Sequence, residues 1–190
     1  MKWEELKAAG VIEIDNQSFS LIHLQDKVYR YTIDAIGSHS QLFFEVLVQY
    51  SSHCITEGQK RHEPPIEKPD LYDDRHVPRV FSPERYKLSL LLPDVFTTFL
   101  MRTCYFTGYD NWLTIEIIDE QGVNRDYEIY FRVHQETSRF LRLYVESAYV
   151  RSEENMSRKP KHFTRREKVK AKTLLTKKLR KESLFAPRRK

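Results

Sequence analysis

Cysteine is scarce in this chain, and what little there is lacks any pattern. Cys54 and Cys104 are the only two in 190 residues, far apart and outside any CxxC pair. They supply neither a disulfide framework nor a zinc module, and the usage suits a reducing cytoplasm. The histidines at 23, 39, 53, 62, 76, 134 and 162 show no HxH or HExxH spacing, so neither a metal nor another cofactor is expected. Long apolar runs are missing too: no window approaches the ~20 residues needed to cross a bilayer, and no charged start leads into an apolar segment. The sequence reads as neither exported nor membrane-spanning.

Charge, by contrast, is abundant and unevenly placed. Residues 158–190 hold 15 Lys and Arg against Glu167 and Glu182, a net of +13 in a chain whose total is +5. Everything before them therefore sums to −8. A mildly acidic body with a basic arm is the footprint of a partner that is a polyanion or an acidic protein, or of self-association between the two parts. Hydrophobic residues at 40% and aromatics at 13% make the body a folding unit, because they can offset the entropy of ordering the chain. The division expected is one domain over 1–152 and an arm over 153–190.

Hydrophobic periodicity sets the elements. A short helix over Lys2–Ala9 ends at Gly10, where a left-handed cap is wanted, and a hairpin turns at Asp15 and Asn16. Tyr29, Tyr31, Ile33 and Ala35 share one face of the next strand. From Gln41 to Thr56, Leu42, Phe44, Val46, Val48, Tyr50 and Cys54 point inward, while Glu45, Gln49, Ser51 and His53 point outward. Glu57 to Asp70, with Gly58, Pro64, Pro65 and Pro69, is a long loop. Ser82-Pro83 caps a helix through Leu91, and Pro93-Asp94 starts a second one reaching about Arg102. Three more alternating strands, Leu113–Asp119, Asp126–His134 and Phe140–Arg151, follow with short connections. The fold class predicted is α+β: an antiparallel sheet of about six strands with a helical pair on one face, plus a basic C-terminal helical arm. Within that arm Val169, Leu175, Leu179 and Leu184 recur about once per turn, giving a helix that orders when a partner neutralises its charge or its apolar stripe docks.

Three groups of residues carry the functional expectations. The arm offers Arg158, Lys159, Lys161, Arg165, Arg166, Lys168, Lys170, Lys172, Lys177, Lys178, Arg180 and Lys181 to phosphates, an affinity dominated by counterion release. The alternative to a nucleic-acid partner is a solubilising tail. Around the long loop, Arg75 and Arg79, with Asp73, Asp74, His76, Arg85 and Tyr86, either hold a phosphate or pair with the local acids Asp73, Asp74 and Glu84. On the outward sheet face, His53, Tyr130, Arg132, His134 and Glu146, with Glu128 and Glu116 nearby, are the residue types of a metal-independent ribonuclease: a base of near-neutral pKa, an arginine for phosphate charge and a proton partner. The plainer reading of the same face is a wet surface with cross-strand Glu/Arg pairs. Cys54, next to His53 on a strand, points away from it and reads as a small buried hydrophobe rather than a nucleophile.

Tyr50-Ser51-Ser52-His53-Cys54, the stretch Arg79-Val80-Phe81 to Arg85-Tyr86 with Leu92-Pro93, and the paired strands Tyr127–Val133 and Leu141–Val150 resemble small bacterial proteins of mobile or defence-associated gene neighbourhoods. Some of these are similar to RelE-like ribonuclease toxins, compact sheets with a helical pair on one side. The resemblance covers roughly Ile33 to Val150 and implies a toxin-like ribonuclease. RelE-like toxins are basic throughout, whereas this body is acidic, so their catalytic residues are not carried over. The two functions expected are a nucleic-acid-binding module, for RNA above all, or a regulatory module, with the arm contacting phosphates, and a toxin-like metal-independent endoribonuclease acting from the polar sheet face.

Overall fold

The computed structural model describes residues 1–34, 40–59, 64–73, 75–107, 112–120, 123–151 and 168–183. A first helix, α1 (Trp3–Ala9), ends at Gly10, whose φ of 74° is the left-handed cap a side chain would disfavour. The hairpin of β1 (Val11–Ile14) and β2 (Gln17–Ser20) turns through Asp15 and Asn16, both at positive φ, the geometry that two-residue hairpins require. Then come β3 (Lys27–Ile33) and β4 (Leu42–Tyr50), which pair antiparallel. Three short strands, β5 (Thr56–Gly58), β6 (Leu71–Tyr72) and β7 (Pro78–Phe81), form a small separate sheet in the order β5-β7-β6. The helical pair is α2 (Pro83–Ser89) and α3 (Leu92–Thr97), followed by β8 (Thr103–Phe106), β9 (Trp112–Glu120), β10 (Val123–Thr137) and β11 (Phe140–Val150).

The main sheet has seven strands and is mixed, which corrects the expectation of a six-stranded antiparallel one. The C-terminal segment contributes β12 (Lys168–Lys170) and α4 (Ala171–Leu179), and the sheet order is β12-β8-β9-β10-β11-β4-β3. β4 and β11 run parallel, with Val46 opposite Leu141 and Tyr50 opposite Val145. Short hairpins announce antiparallel neighbours in a sequence. A parallel pair is joined by a long crossover, here everything from β5 to β10, and leaves no local trace.

Alternation sets the core. Tyr29, Tyr31, Phe44, Val46, Val48, Tyr50, Phe131, Val133, Leu141, Leu143 and Val145 are all buried on one face. The helical pair covers that face: Ser82 Oγ accepts the Arg85 amide at 3.4 Å to cap α2, and Phe96 and Phe99 are fully buried, Phe99 meeting Phe131 edge-on at 5.4 Å. The Tyr31 hydroxyl donates to the Phe96 carbonyl, so the aromatic body packs while its polar tip is satisfied. At the N-terminus Trp3 is buried, with its indole N–H on the Tyr50 carbonyl at 2.8 Å, and Lys7 bridges Glu4 and Asp26 at 3.0 and 2.8 Å.

The basic segment from Lys168 onward is part of this body. β12 pairs antiparallel with β8, Val169 opposite Cys104, and the Ala171 amide continues onto the Arg102 carbonyl at 2.9 Å. α4 then buries Ala171, Leu174, Leu175 and Leu179. Burying a leucine side chain contributes roughly 1.5–3 kcal/mol, enough for three of them to hold a short lysine-rich helix that would not form alone. The helix expected from the Val169, Leu175, Leu179 and Leu184 spacing begins only at Ala171, and Val169 lies on the strand that precedes it. Its stripe runs through Leu174 and Ala171 as well as Leu175 and Leu179, because docking, more than spacing, selects which positions are covered. Residues 152–167 and 184–190, with Arg158, Lys159, Lys161, Arg165 and Arg166, lie outside the described residues.

Candidate functional site

The outer face of the sheet is a set of cross-strand ion pairs. Arg132 lies 2.7 Å from Glu146, Arg142 3.1 Å from Glu136, and Arg30 2.9 Å from Glu45. Arginine and glutamate on this face serve each other, a few tenths of a kcal/mol per pair on a wet surface. His134 is exposed and opposite Arg142, whereas His53 belongs to a 3-10 turn (Ser52–Cys54) that follows Tyr50, opposite Val145. The five candidates His53, Tyr130, Arg132, His134 and Glu146 therefore do not meet: four share the outer face of β10 and β11, and His53 has turned off the sheet. Ser51 Oγ accepts the His53 amide at 3.2 Å and starts that turn.

One member of the outer face is not wet at all. Tyr130 faces Ser147 while Phe131 faces Val145, so Glu146 is the extra residue of a β-bulge. The bulge resets the alternation of β11 and brings Tyr149 and Arg151 to the same side as Glu128 and Tyr130. Glu128, expected to be solvated, has a side chain only 1% exposed, and Arg151 grips it at 2.6 and 3.2 Å. The Tyr130 hydroxyl donates to the same carboxylate at 2.7 Å, and Tyr130 and Tyr149 stack at 5.8 Å. Burial pushes the Tyr130 hydroxyl's pKa upward, with Glu128 adding to it. A closed, mutually satisfied network of this kind is a fastening, not a reaction centre.

The small sheet gathers a different set. His53 Nε2 stands 3.1 Å from Asp73 Oδ2, and Asp73 Oδ1 accepts the amides of Arg75 and Val77 at 2.9 Å each. Burial works against the Asp73 carboxylate, yet those amides and His53 hold its pKa below the usual range. Burial lowers the His53 pKa, Arg79 lowers it further, and Asp73 opposes both. Arg79 is buried, donates through Nε to Thr56 Oγ1 and through Nη2 to the Thr56 carbonyl, both at 3.0 Å, and its pKa is pushed down to about 10 chiefly by burial. Arg85 Nη1 donates to that same carbonyl at 2.8 Å and to the His53 carbonyl at 3.1 Å, with its guanidinium 5.0 Å from the Tyr149 ring. The expected pairing of Arg79 with Asp73 or Glu84 is not found among the described residues: Glu84 pairs with Arg125 at 3.1 Å. Asp74 lies outside them, and Arg75 is exposed. Cys54 is fully buried with its thiol pushed up to about 12 by burial, as befits packing rather than nucleophilic attack.

The arm's lysines meet the sheet at a cleft of about 420 Å³ between α4 and β10, lined by His134, Gln135, Lys177, Lys178, Lys181 and Glu182. Gln135 Nε2 donates to the Leu179 carbonyl at 2.8 Å and ties down the end of the helix. The chain then reverses, with Lys181 at a φ of 56° and the Glu182 amide on the Lys177 carbonyl at 2.9 Å. Arg180 reaches Glu182 at 3.9 Å, and Lys172 also lies on α4. On β12, Lys170 donates to the Met101 carbonyl at 3.3 Å and Lys168 lies 5.7 Å from the Tyr105 ring. Sequence reading named the lysines and His134 separately. It missed Gln135 and Thr56, whose only signal is their place in the folded structure. Among the described residues no cluster of His, Cys, Asp and Glu is placed to hold a metal, and no helix is long and apolar enough to cross a membrane.

These features define a small α+β domain whose mixed sheet is completed, at one edge, by a lysine-rich strand and helix from its own C-terminal segment. The chain belongs to the YjaZ family. That family's sequence pattern matches residues 11–179, ending on the last residue of α4. Protein YjaZ of Escherichia coli (strain K12) is 32% identical over 170 residues, which span 85% of this chain and 88% of that protein. No solved structure matches the chain.

Proposed function

We propose that the protein binds nucleic acid, RNA above all, through the basic surface of β12 and α4. The observation that supports this reading is the cleft in which Lys177, Lys178 and Lys181 stand beside His134 and Gln135. Lysine heads are compact point charges that seat phosphates without demanding one geometry, and here the docked helix carries Lys177 and Lys178 while the turn after it carries Lys181. His134 adds an exposed imidazole, able to hydrogen-bond a 2′-hydroxyl or a base edge. Specificity then comes from the shape of the cleft, and affinity from charge.

Binding of a labelled single-stranded RNA, measured as a function of salt, tests this. The intact protein binds with an affinity that falls steeply as salt rises. Replacing Lys177, Lys178 and Lys181 by Gln reduces the slope of log K against log salt by about 2, since each phosphate contact on a single strand contributes about 0.7. A folded triple variant with unchanged affinity and slope overturns the reading, as does an intact protein that shows no salt-dependent binding.

A further inference from the structure

Among the lysines of the α4 cleft stands one residue of the wrong sign for a phosphate. Glu182 lines the cleft together with Lys177, Lys178 and Lys181, and a carboxylate repels the backbone that those lysines attract. The chain places it there against local preference. Lys181 takes the left-handed conformation at a φ of 56°, with its amide on the Lys178 carbonyl at 3.2 Å and the Glu182 amide on the Lys177 carbonyl at 2.9 Å. That pair of bonds is a Schellman motif, in which glycine usually holds the left-handed position and an apolar residue follows. Here a lysine and a glutamate take the two places, and an acid at this end also opposes the helix dipole.

The protein does not take up this carboxylate. Among the described residues its ion-pair contact is with Arg180, at 3.9 Å, longer than a hydrogen bond, and its side chain is 47% exposed. Lys177 donates elsewhere, to the Ser183 carbonyl at 2.9 Å. Glu182 therefore offers two acceptor oxygens beside ammonium donors, in an opening of about 420 Å³ that is large enough for a base.

Resting on the reading of the cleft as an RNA site, we propose that Glu182 selects guanine there, accepting from N1–H and from the N2 amino group while a neighbouring lysine donates to O6. Guanine carries these groups in a row along its Watson–Crick edge, as acceptor, donor and donor. The two oxygens of a carboxylate match the two donors with parallel hydrogen bonds, and lysine is a regular donor to guanine O6. Adenine, cytosine and uracil each set an acceptor beside their donor, so the second carboxylate oxygen meets a lone pair instead of a proton. The edge is open only in an unpaired base, which makes single-stranded RNA the substrate.

Fluorescence anisotropy of the full-length protein with short labelled RNAs tests the proposal, using an all-uridine oligomer and the same oligomer with one central guanosine, inosine, adenosine or cytidine. The guanosine oligomer binds about tenfold more tightly than the all-uridine one, as a bidentate base contact supplies. Inosine, which keeps N1–H and O6 but lacks the N2 amino group, loses most of that gain. Glu182→Gln removes the guanosine preference, and it tightens binding of the all-uridine oligomer because a charge that repels phosphates is gone. Equal, salt-dependent affinities for every oligomer overturn the guanine assignment and leave the RNA reading of the cleft standing. A preference for another base, or a guanosine preference that survives in Glu182→Gln, overturns it as well. No binding of any oligomer overturns the RNA reading itself, and the guanine assignment with it.

Discussion

Arg151, just past the end of β11, closes two hydrogen bonds onto the buried Glu128 of β10, at 2.6 and 3.2 Å, with its own side chain only 9% exposed. The pair exists because a bulge at Glu146 shifts the facing of β11 by one residue. Removing one partner strands a buried charge. Arg151→Met is therefore expected to destabilise the fold by about 3–5 kcal/mol, read from urea unfolding. Adding Glu128→Gln to it should recover a large part, since the uncompensated carboxylate disappears. A double variant no more stable than the single one would show that Glu128 is not the cause.

The docking of α4 is tested at its apolar stripe. Leu174→Ala and Leu175→Ala each remove a fully buried side chain and are expected to cost about 2–5 kcal/mol. Amide exchange over α4 should lose protection at the same time. Truncation of the whole basic segment is a blunter test, because it removes core leucines together with charge and so confounds binding with folding.

Two histidines give stability a definite pH slope. Burial lowers the pKa of both His23 and His53 from the ordinary 6.5. The unfolded chain binds more protons than the folded one between the lowered values and 6.5, so stability rises with pH through that window and is lost as pH falls through it. Thermal melts between about pH 5 and pH 8 should show the rise. A His23→Gln, His53→Gln variant should flatten it, and an unchanged slope would assign the effect elsewhere.

At Gly58 the prediction is steric. A methyl group there collides with Arg79, whose head is held by Thr56. Gly58→Ala is expected to cost about 1–3 kcal/mol as an overpacked site. Because the collision needs the guanidinium, the cost should vanish in an Arg79→Ala background, and a cost that persists there would point to backbone strain instead.

How far the fold could be read in advance follows from where each contact is encoded. Alternation along Val28–Ile33 and Phe44–Tyr50, the Ser82-Pro83 cap and the Asp15-Asn16 turn are local, and the structure has them where the sequence places them. The pairing of β4 with β11 is not local, and neither is the bulge that buries Glu128. Period two extended beyond Tyr50 places His53 on the outer sheet face. The strand ends at Tyr50, and Ser51 turns the chain toward Asp73. The C-terminal lysines were visible as charge, but the apolar surface that receives Leu174 and Leu175 is assembled from distant segments. The count of charges therefore outweighed four buried side chains.

The strand β12 has one more effect. It lies along β8, which would otherwise present a row of unpaired amides and carbonyls to any other extended chain. β12 covers that row with Lys168, Val169 and Lys170, and lysines at a sheet edge discourage a further strand. The segment that gives this chain its basicity thus also occupies the strand position beside β8 where an extended segment of another copy could otherwise pair.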